Sequence, residues 1–122
     1  KRDLPNIEFF LYCFGANQSA ATLFMTSDVF SKVIIDQHSE FVIHQPANIG
    51  AEGKSRKLNE LQLAAKSLHN VTNLMMEVYE SAAKRRKRGK KTDWKKMIED
   101  GDERDEITAK EMFEMGLCDE IQ

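Results

Sequence analysis

The chain has 122 residues, of which 41% are hydrophobic and 31% are charged, and its formal net charge is −2. This length can bury one hydrophobic core and no second one, while the near-neutral charge excludes a molecule that binds polyanions through its overall field. No apolar run approaches the ~20 residues of a membrane span, so we expect one soluble domain. Cys13 and Cys118 make neither a disulfide framework nor a paired metal motif, so we expect a reducing, intracellular compartment.

The first part of the chain has the element order of an α/β protein. Residues 7–14 form a continuous apolar run, typical of a strand covered on both faces inside a sheet, and Gly15 ends it. A short buried helix is predicted from Ser19 onward. Two strands, 32–36 and 40–44, are predicted on either side of a turn. The order strand, helix, strand, strand predicts an α/β fold.

A long amphipathic helix is predicted in the middle of the chain, after a loop or edge segment that contains Gly50 and Gly53. Apolar residues recur there at spacings of three and four over about 30 residues. They are Leu58, Leu61, Ala65, Leu68, Val71, Met75, Tyr79 and Ala82. A helix so long in a chain so short is expected to project from the body and to pack against another subunit.

Further elements are predicted after the long helix. Thr92 is placed to cap a short helix, which an acidic loop over residues 99–106 follows. Thr108 starts a Thr-x-x-Glu capping box, and Gly116 is placed to close that helix as a left-handed residue. Residues 117–121 are predicted to form the last strand.

Ser19 follows a predicted strand and opens a predicted helix. Its hydroxyl would lie where unpaired N–H groups and the positive end of the helix dipole favour an oxyanion. The same pattern is that of an ordinary N-cap serine. The segment lacks the G-x-S-x-G elbow of α/β-hydrolases, so the local sequence leaves both interpretations open.

His44 ends a predicted strand and is followed by Gln-Pro, which forces the chain into an extended geometry. A histidine at a strand end is well placed to be a general base. It is equally placed to be a half-buried residue with a backbone partner. His38 in the turn and His69 on the long helix have no partner motif, and we expect both at the surface.

Residues 41–46, Phe-Val-Ile-His-Gln-Pro, resemble the Met-Ile-His-Gln-Pro segment of the Clp protease proteolytic subunit (ClpP) family. Counting back from His44 by the family's spacing, 44 − 19 = 25 positions, reaches Ser19 without a gap, and Gly15 falls on the family's glycine before the nucleophile. Residues 108–121 resemble the family's closing Ser-Ala-x-Glu-Ala-x-x-Tyr-Gly-Leu-Ile-Asp-x-Ile. The resemblance covers nearly the whole chain in order.

The resemblance implies a ClpP/crotonase-like fold, a spiral of strand-strand-helix units with a long projecting "handle" helix. One domain over 1–122 is then expected, with strands and the nucleophile helix in 1–54, the handle in 55–88, and carboxy-terminal helices and the last strand in 89–122. The chain resembles the carboxy-terminal two thirds of the family. We therefore expect it to be part of a longer polypeptide whose amino-terminal repeats supply half the oxyanion hole.

The resemblance also implies a Ser-His-Asp triad. Ser19 would be the nucleophile, His44 the base, and Asp105 the carboxylate that orients the imidazole, with the Ala20 N–H donating to the oxyanion. Asp105 has one residue fewer before Thr108 than the family's aspartate has before the matching position. Asp102 is therefore the alternative orienting carboxylate.

The implied activity is that of an ATP-dependent Clp-type serine endopeptidase, a cytoplasmic hydrolase that cleaves unfolded polypeptides inside a ring-shaped chamber. Substrate is expected to add a strand beside Gln45, Pro46, Ala47 and Asn48. The implied partners are further copies of the chain in stacked rings and an ATP-dependent unfoldase, without a membrane, and no metal or organic cofactor is implied. Two alternatives are a non-catalytic ClpP-like ring subunit and a crotonase-type acyl-CoA enzyme, and the histidine motif and long helix argue against the latter.

A basic segment, residues 84–91, contains seven cations around Gly89. Such a segment can bind nucleic acid or act as a localisation signal. No aromatic residues interleave with it, and an acidic loop follows. The favoured interpretation is a solvated handle tip or a salt-bridging contact with the opposite ring, so nucleic acid is not expected as a partner.

Overall fold

Six strands and four helices lie in the part of the chain that the computed structural model describes, residues 7–17, 19–45, 57–101 and 105–122. In chain order the elements are β1 (Phe10–Cys13), β2 (Ala16–Asn17), α1 (Ser19–Met25), β3 (Lys32–Ile35), β4 (Glu40–Phe41), α2 (Leu58–Arg85), α3 (Trp94–Glu99), β5 (Ile107–Thr108), α4 (Ala109–Glu114) and β6 (Glu120–Ile121). The α/β class predicted from the sequence is confirmed.

The strands form two small sheets. In the first, β3 lies between β1 and β6, and all three strands are parallel. In the second, β4 lies between β2, which is parallel to it, and β5, which is antiparallel. The chain crosses from the first sheet to the second at Gly15, whose φ of +67° is in the left-handed region that glycine adopts without strain. It crosses again at the turn between β3 and β4, so these two strands do not pair with each other.

β1 differs from the interior strand that the apolar run predicts. Among the described residues, β3 is its one strand partner, so β1 lies at the edge of its sheet. Leu11 and Cys13 face the core, whereas Phe10, Tyr12 and Phe14 are 50% to 68% exposed. The prediction of a strand covered on both faces is therefore wrong for the described part of the chain, because an apolar run does not specify what covers each face.

α2 occupies the segment for which the apolar spacing predicts a long helix, and its 28 residues fall into two parts. In the carboxy-terminal part, Met75, Tyr79, Ala82 and Ala83 are buried in the core. In the amino-terminal part, most apolar residues remain exposed, and Leu58 is 71% accessible. The first half of α2 therefore projects from the body of this chain. None of the described helices is both long and apolar enough to cross a membrane.

The basic segment lies at the buried end of α2, which is the end opposite to the projecting one. α2 stops at Arg85, and the next turn contains two left-handed residues, Lys87 (φ 57°) and Gly89 (φ 74°). A Cβ at Gly89 would overlap the backbone carbonyl of Met115, so glycine permits the close approach of these two segments.

The arginines of this segment bind the body of the chain. Arg85 donates to the carbonyl of Thr26 at 2.7 Å. Arg86, with 9% of its side chain exposed, forms an ion pair with Asp119 at 2.8 Å. Arg88 lies 3.9 Å above the centre of the Phe113 ring. The prediction of a solvated handle tip or a contact with another ring is therefore wrong for Arg86 and Arg88, which are half-buried against partners in their own chain.

The carboxy-terminal helices follow their local signals closely. The capping box of α4 is confirmed, since the Thr108 hydroxyl accepts from the Glu111 N–H at 3.2 Å and the Glu111 carboxylate accepts from the Thr108 N–H at 3.3 Å. Gly116 has the predicted left-handed φ, 81°. The cap of α3 is Asp93, which accepts from the Lys96 N–H at 3.1 Å, so the prediction of Thr92 is wrong.

The core lies between the sheets and the four described helices. It includes Ile35, Phe41, Ile43, Tyr79, Ile98, Met112 and Leu117, each at most 1% exposed. Cys13 and Cys118 are buried as free thiols. Burial raises the pKa of both thiols, that of Cys118 to about 11, so each behaves as a small apolar side chain.

Candidate active site

The predicted triad residues lie next to three strands of one sheet. Ser19 comes two residues after β2, His44 three residues after β4, and Asp105 two residues before β5. Because β2 and β4 are parallel, their carboxyl ends lie at the same edge, and because β5 is antiparallel to β4, its amino end lies there too. The sheet order β2-β4-β5 thus brings all three segments to one edge, with the histidine segment in the middle.

The start of α1 is set by the turn before it. The Asn17 side chain donates to the carbonyls of Phe14 and Gly15, at 3.3 and 3.1 Å, and so closes the turn between the first sheet and β2. The Asn17 carbonyl accepts from the Val42 N–H at 2.9 Å, which extends the β2–β4 pairing by one bond. Ser19 and Ala20 then begin α1, where the first backbone N–H groups have no acceptor within the helix.

The sequence predicts His44 as the last residue of a strand, but in the structure it lies three residues beyond the end of β4. β4 ends at Phe41, and the chain continues in an extended course through Ile43, which is 1% exposed. The imidazole of His44 is partly exposed, and its Nδ1 lies 2.9 Å from the carbonyl oxygen of Gln45. The sequence leaves open a backbone hydrogen-bond partner for the imidazole, and the Gln45 carbonyl is such a partner. The ring is still partly exposed to solvent.

The segment that contains Asp105 is anchored on both sides beside His44. On one side, Gly101 packs against Ile43 and His44 so closely that a Cβ would overlap the Ile43 carbonyl and lie 2.5 Å from the His44 Cα. On the other side, Ile107 pairs with Phe41 in the β4–β5 register. Asp105 itself is exposed. The alternative carboxylate, Asp102, lies outside the described residues.

Gln45, the first residue of the predicted substrate-binding segment, is exposed beside a cavity of about 270 Å³. Leu68, His69 and Thr72 of α2 and Glu99 of α3 complete its lining with Ala65. The remaining predicted substrate-binding residues, Pro46, Ala47 and Asn48, lie outside the described residues. A larger cleft, of about 1030 Å³, is lined by the basic segment, α3 and α4, and it contains none of the predicted site residues.

The family model for Clp protease matches residues 5–122. The chain belongs to the Clp protease family. No curated protein matches it. The family confirms the predicted resemblance and the ClpP-like α/β fold, and it gives the coarse enzyme class, a peptidase and therefore a hydrolase. Clp proteases generally form oligomeric rings that work with unfoldases.

In this Clp protease family member, one feature near the site is not predicted from the sequence. The hydroxyls of Thr22 in α1 and Tyr79 in α2 lie 2.6 Å apart, and both residues are fully buried. A threonine on a short helix and a tyrosine on an apolar stripe are each ordinary core residues in the sequence. Their separation of 57 positions leaves no local signal that would pair them.

The described residues 7–17, 19–45, 57–101 and 105–122 contain no group of three or more histidine, cysteine, aspartate or glutamate side chains that could hold a metal ion. The side chains predicted to act at this sheet edge carry a hydroxyl, an imidazole and a carboxylate, beside backbone amides. These are the groups that acyl transfer by a serine peptidase uses.

Proposed function

We propose that this Clp protease family member is a serine endopeptidase that hydrolyses unfolded polypeptides, with Ser19 as nucleophile, His44 as general base and Asp105 as orienting carboxylate. The observation that supports the proposal most strongly is the sheet order β2-β4-β5, which brings the three segments to one edge. A triad needs the histidine between the nucleophile and the acid, and β4, the strand before His44, is the middle strand.

In the proposed reaction, the Ser19 oxygen attacks the scissile carbonyl carbon while His44 accepts the hydroxyl proton. The backbone N–H of Ala20 donates to the developing oxyanion. His44 then returns the proton to the leaving amine, and water, activated by the same imidazole, hydrolyses the acyl-enzyme. Asp105 stabilises the imidazolium that forms in both steps, without accepting its proton.

One hydrogen bond of His44 bears on how the triad would assemble. A triad aspartate accepts from Nδ1, and that atom now lies 2.9 Å from the Gln45 carbonyl. Asp105 would therefore have to share or replace this acceptor. Catalytic hydrogen bonds often tighten only when substrate is bound. Substrate adding a strand beside residues 45–48 would contact the backbone that now holds the imidazole.

The proposed setting is a cytoplasmic chamber of stacked rings, with an ATP-dependent unfoldase supplying extended chains. The exposed apolar residues on the projecting half of α2 support an oligomer, since Leu58, Leu61 and Leu63 are each more than half exposed in the single chain.

The test is covalent labelling of the assembled full-length protein by a fluorophosphonate probe. Ser19→Ala should abolish labelling, while Ser67→Ala, on the exposed surface of α2, should label as the wild type does. Asp105→Asn should lower the labelling rate by on the order of 10³ to 10⁴, because the imidazole loses its orienting charge. If Asp102→Asn has that effect and Asp105→Asn does not, the orienting carboxylate is Asp102.

A second candidate is a non-catalytic ring subunit. The observation that favours it is the Nδ1 contact of His44 with a backbone carbonyl, at a position where a triad has a carboxylate. Assembled wild-type protein that forms rings in sedimentation analysis and stays unlabelled by the probe would support this candidate and refute the peptidase.

A further inference from the structure

The buried contact between Thr22 and Tyr79 joins the helix that begins at Ser19 to the long helix α2. The two hydroxyl oxygens are 2.6 Å apart, and both side chains have no exposed surface. A hydrogen bond in such an apolar environment is strong and directional. It therefore allows fewer relative positions of α1 and α2 than apolar contacts, which are non-directional, would allow.

Neighbouring contacts hold both partners of this bond. The ring of Tyr79 stacks on Trp94 at the start of α3, with ring centres 5.7 Å apart and planes 17° from parallel. One turn beyond Thr22, the carbonyl of Thr26 accepts from Arg85 at 2.7 Å. α1 and the residue that follows it are thus bound to α2 at two points four residues apart, Thr22 and Thr26. The bond to the Tyr79 hydroxyl is the one closer to Ser19.

We propose that Tyr79 is a positioning residue for the nucleophile: its hydrogen bond to Thr22 fixes the rotation of α1 about its axis and thereby the place of Ser19 relative to His44. This inference rests on the proposed function of Ser19.

The geometry of a helix gives the size of the effect. Ser19 and Thr22 are three residues apart in α1 and so lie on the same side of the helix. A side-chain atom about 5 Å from a helix axis moves about 1 Å when the helix turns by roughly 12°. A misplacement of about 1 Å at a reacting group can lower a rate about 100-fold. A small rotation of α1 is therefore enough to disable an otherwise intact triad.

The contact is also independent of pH in the range in which a peptidase works. Burial raises the pKa of Tyr79 to about 12, although the bond to Thr22 acts in the opposite direction. The phenol therefore stays protonated near neutrality and keeps its proton for the hydrogen bond.

The experiment compares variants that keep or remove one hydroxyl. In the assembled full-length protein, Tyr79→Phe and Thr22→Val should each lower the rate of fluorophosphonate labelling about 10-fold to 100-fold, measured well below each melting temperature. Thr22→Ser, which keeps the hydroxyl, should label at close to the wild-type rate. The double variant Thr22→Val/Tyr79→Phe should be no slower than the slower single variant, because both changes remove the same bond.

A control separates positioning from general destabilisation. Asp119→Asn weakens an ion pair to Arg86 that does not involve α1, so it should lower the melting temperature without changing the labelling rate at low temperature. If Tyr79→Phe labels at the wild-type rate, the positioning role is wrong and the proposed function stands. If the wild type is not labelled at all, the proposed function fails, and the positioning role fails with it.

Discussion

The ion pair between Arg86 and Asp119 should be one of the main contacts that hold the carboxy-terminal segment on the body. The Arg86 guanidinium donates to both carboxylate oxygens of Asp119, at 2.8 and 3.3 Å, and the carboxylate also accepts from the Val33 N–H at 2.7 Å. With 9% of the Arg86 side chain and 31% of the Asp119 side chain exposed, solvent screens the pair only in part. We predict that Asp119→Ala destabilises the fold substantially.

The magnitude follows from the groups that lose a partner. Arg86 keeps the Gly116 carbonyl at 3.2 Å but loses its carboxylate, and the buried Val33 N–H loses its side-chain acceptor. Hydrogen bonds to charged groups contribute about 1.5 to 3 kcal/mol each, so a loss of about 3 kcal/mol is expected after discounting for exposure. With an unfolding entropy of about 2.1 cal/mol/K per residue over 122 residues, this corresponds to a fall in Tm of roughly 12 °C.

The assay is thermal and urea unfolding of wild type, Asp119→Ala, Asp119→Asn and Glu80→Gln. Asp119→Asn should cost less than the alanine variant, since an amide oxygen can still accept from Val33. Glu80→Gln is the matched control, because Glu80 and Lys84 form an exposed pair at 3.9 Å, expected to contribute less than about 0.5 kcal/mol. If Asp119→Ala costs no more than Glu80→Gln, the described ion pair does not stabilise the fold.

The pH dependence of the difference in Tm between wild type and Asp119→Ala is a second readout. Partial burial alone would raise the pKa of Asp119, but the hydrogen bonds from Arg86 and from the Val33 N–H outweigh it and hold that pKa below its usual 3.8. Because the pKa of Asp119 is lower in the folded protein, the stabilisation is fully present at pH values above the pKa of the unfolded chain. It is lost as the pH falls through the pKa of the folded protein. The gap in Tm between wild type and Asp119→Ala should therefore be constant near neutrality and shrink below about pH 4.

Three further predictions follow from buried groups. Gly101→Ala should destabilise the protein by about 1 to 3 kcal/mol and slow probe labelling, because its Cβ would overlap the Ile43 carbonyl beside His44; wild-type melting and labelling would contradict the described packing. Cys13 and Cys118 should resist iodoacetamide in the native protein and react after unfolding in urea, as mass spectrometry can show. Burial raises the pKa of Tyr79 from 10.0 to about 12. The phenol's contribution to the free energy of unfolding should therefore be fully present below the pKa of the unfolded chain and be lost as the pH rises from that pKa to the folded one. The difference in stability between wild type and Tyr79→Phe should narrow only in this alkaline range.

The candidate site shows where sequence reasoning was sufficient and where it was not. The resemblance to Clp proteases supplied Ser19, His44 and Asp105 as predictions, and the family match over residues 5–122 confirms the resemblance itself. The residues alone left open whether Ser19 is an N-cap or a nucleophile, and whether His44 is a half-buried residue or a general base. The shared sheet edge did not follow from the sequence, because it depends on which strands pair.

The sequence by itself determined the features whose partners lie within a few positions. The capping box from Thr108 to Glu111 and the left-handed Gly116 depend on backbone groups within about one helical turn. The apolar side chains of α2 recur every three or four residues, so its helical period is also a local pattern. The N-cap of α3 is an exception among these local features. Thr92 and Asp93 are both residues that cap helices, and Asp93 is the cap in the structure because its carboxylate accepts from the Lys96 N–H.

The tertiary structure decided which distant surfaces meet. It assigned β3 and β4 to different sheets, joined Thr22 to Tyr79, and gave the arginines of the basic segment partners in their own chain. A run of cations has the same composition whether it is solvated or paired. Burial decides its partners: Arg86 and Arg88 follow a helix end that is buried in the core, and there they contact Asp119, Phe113 and backbone carbonyls.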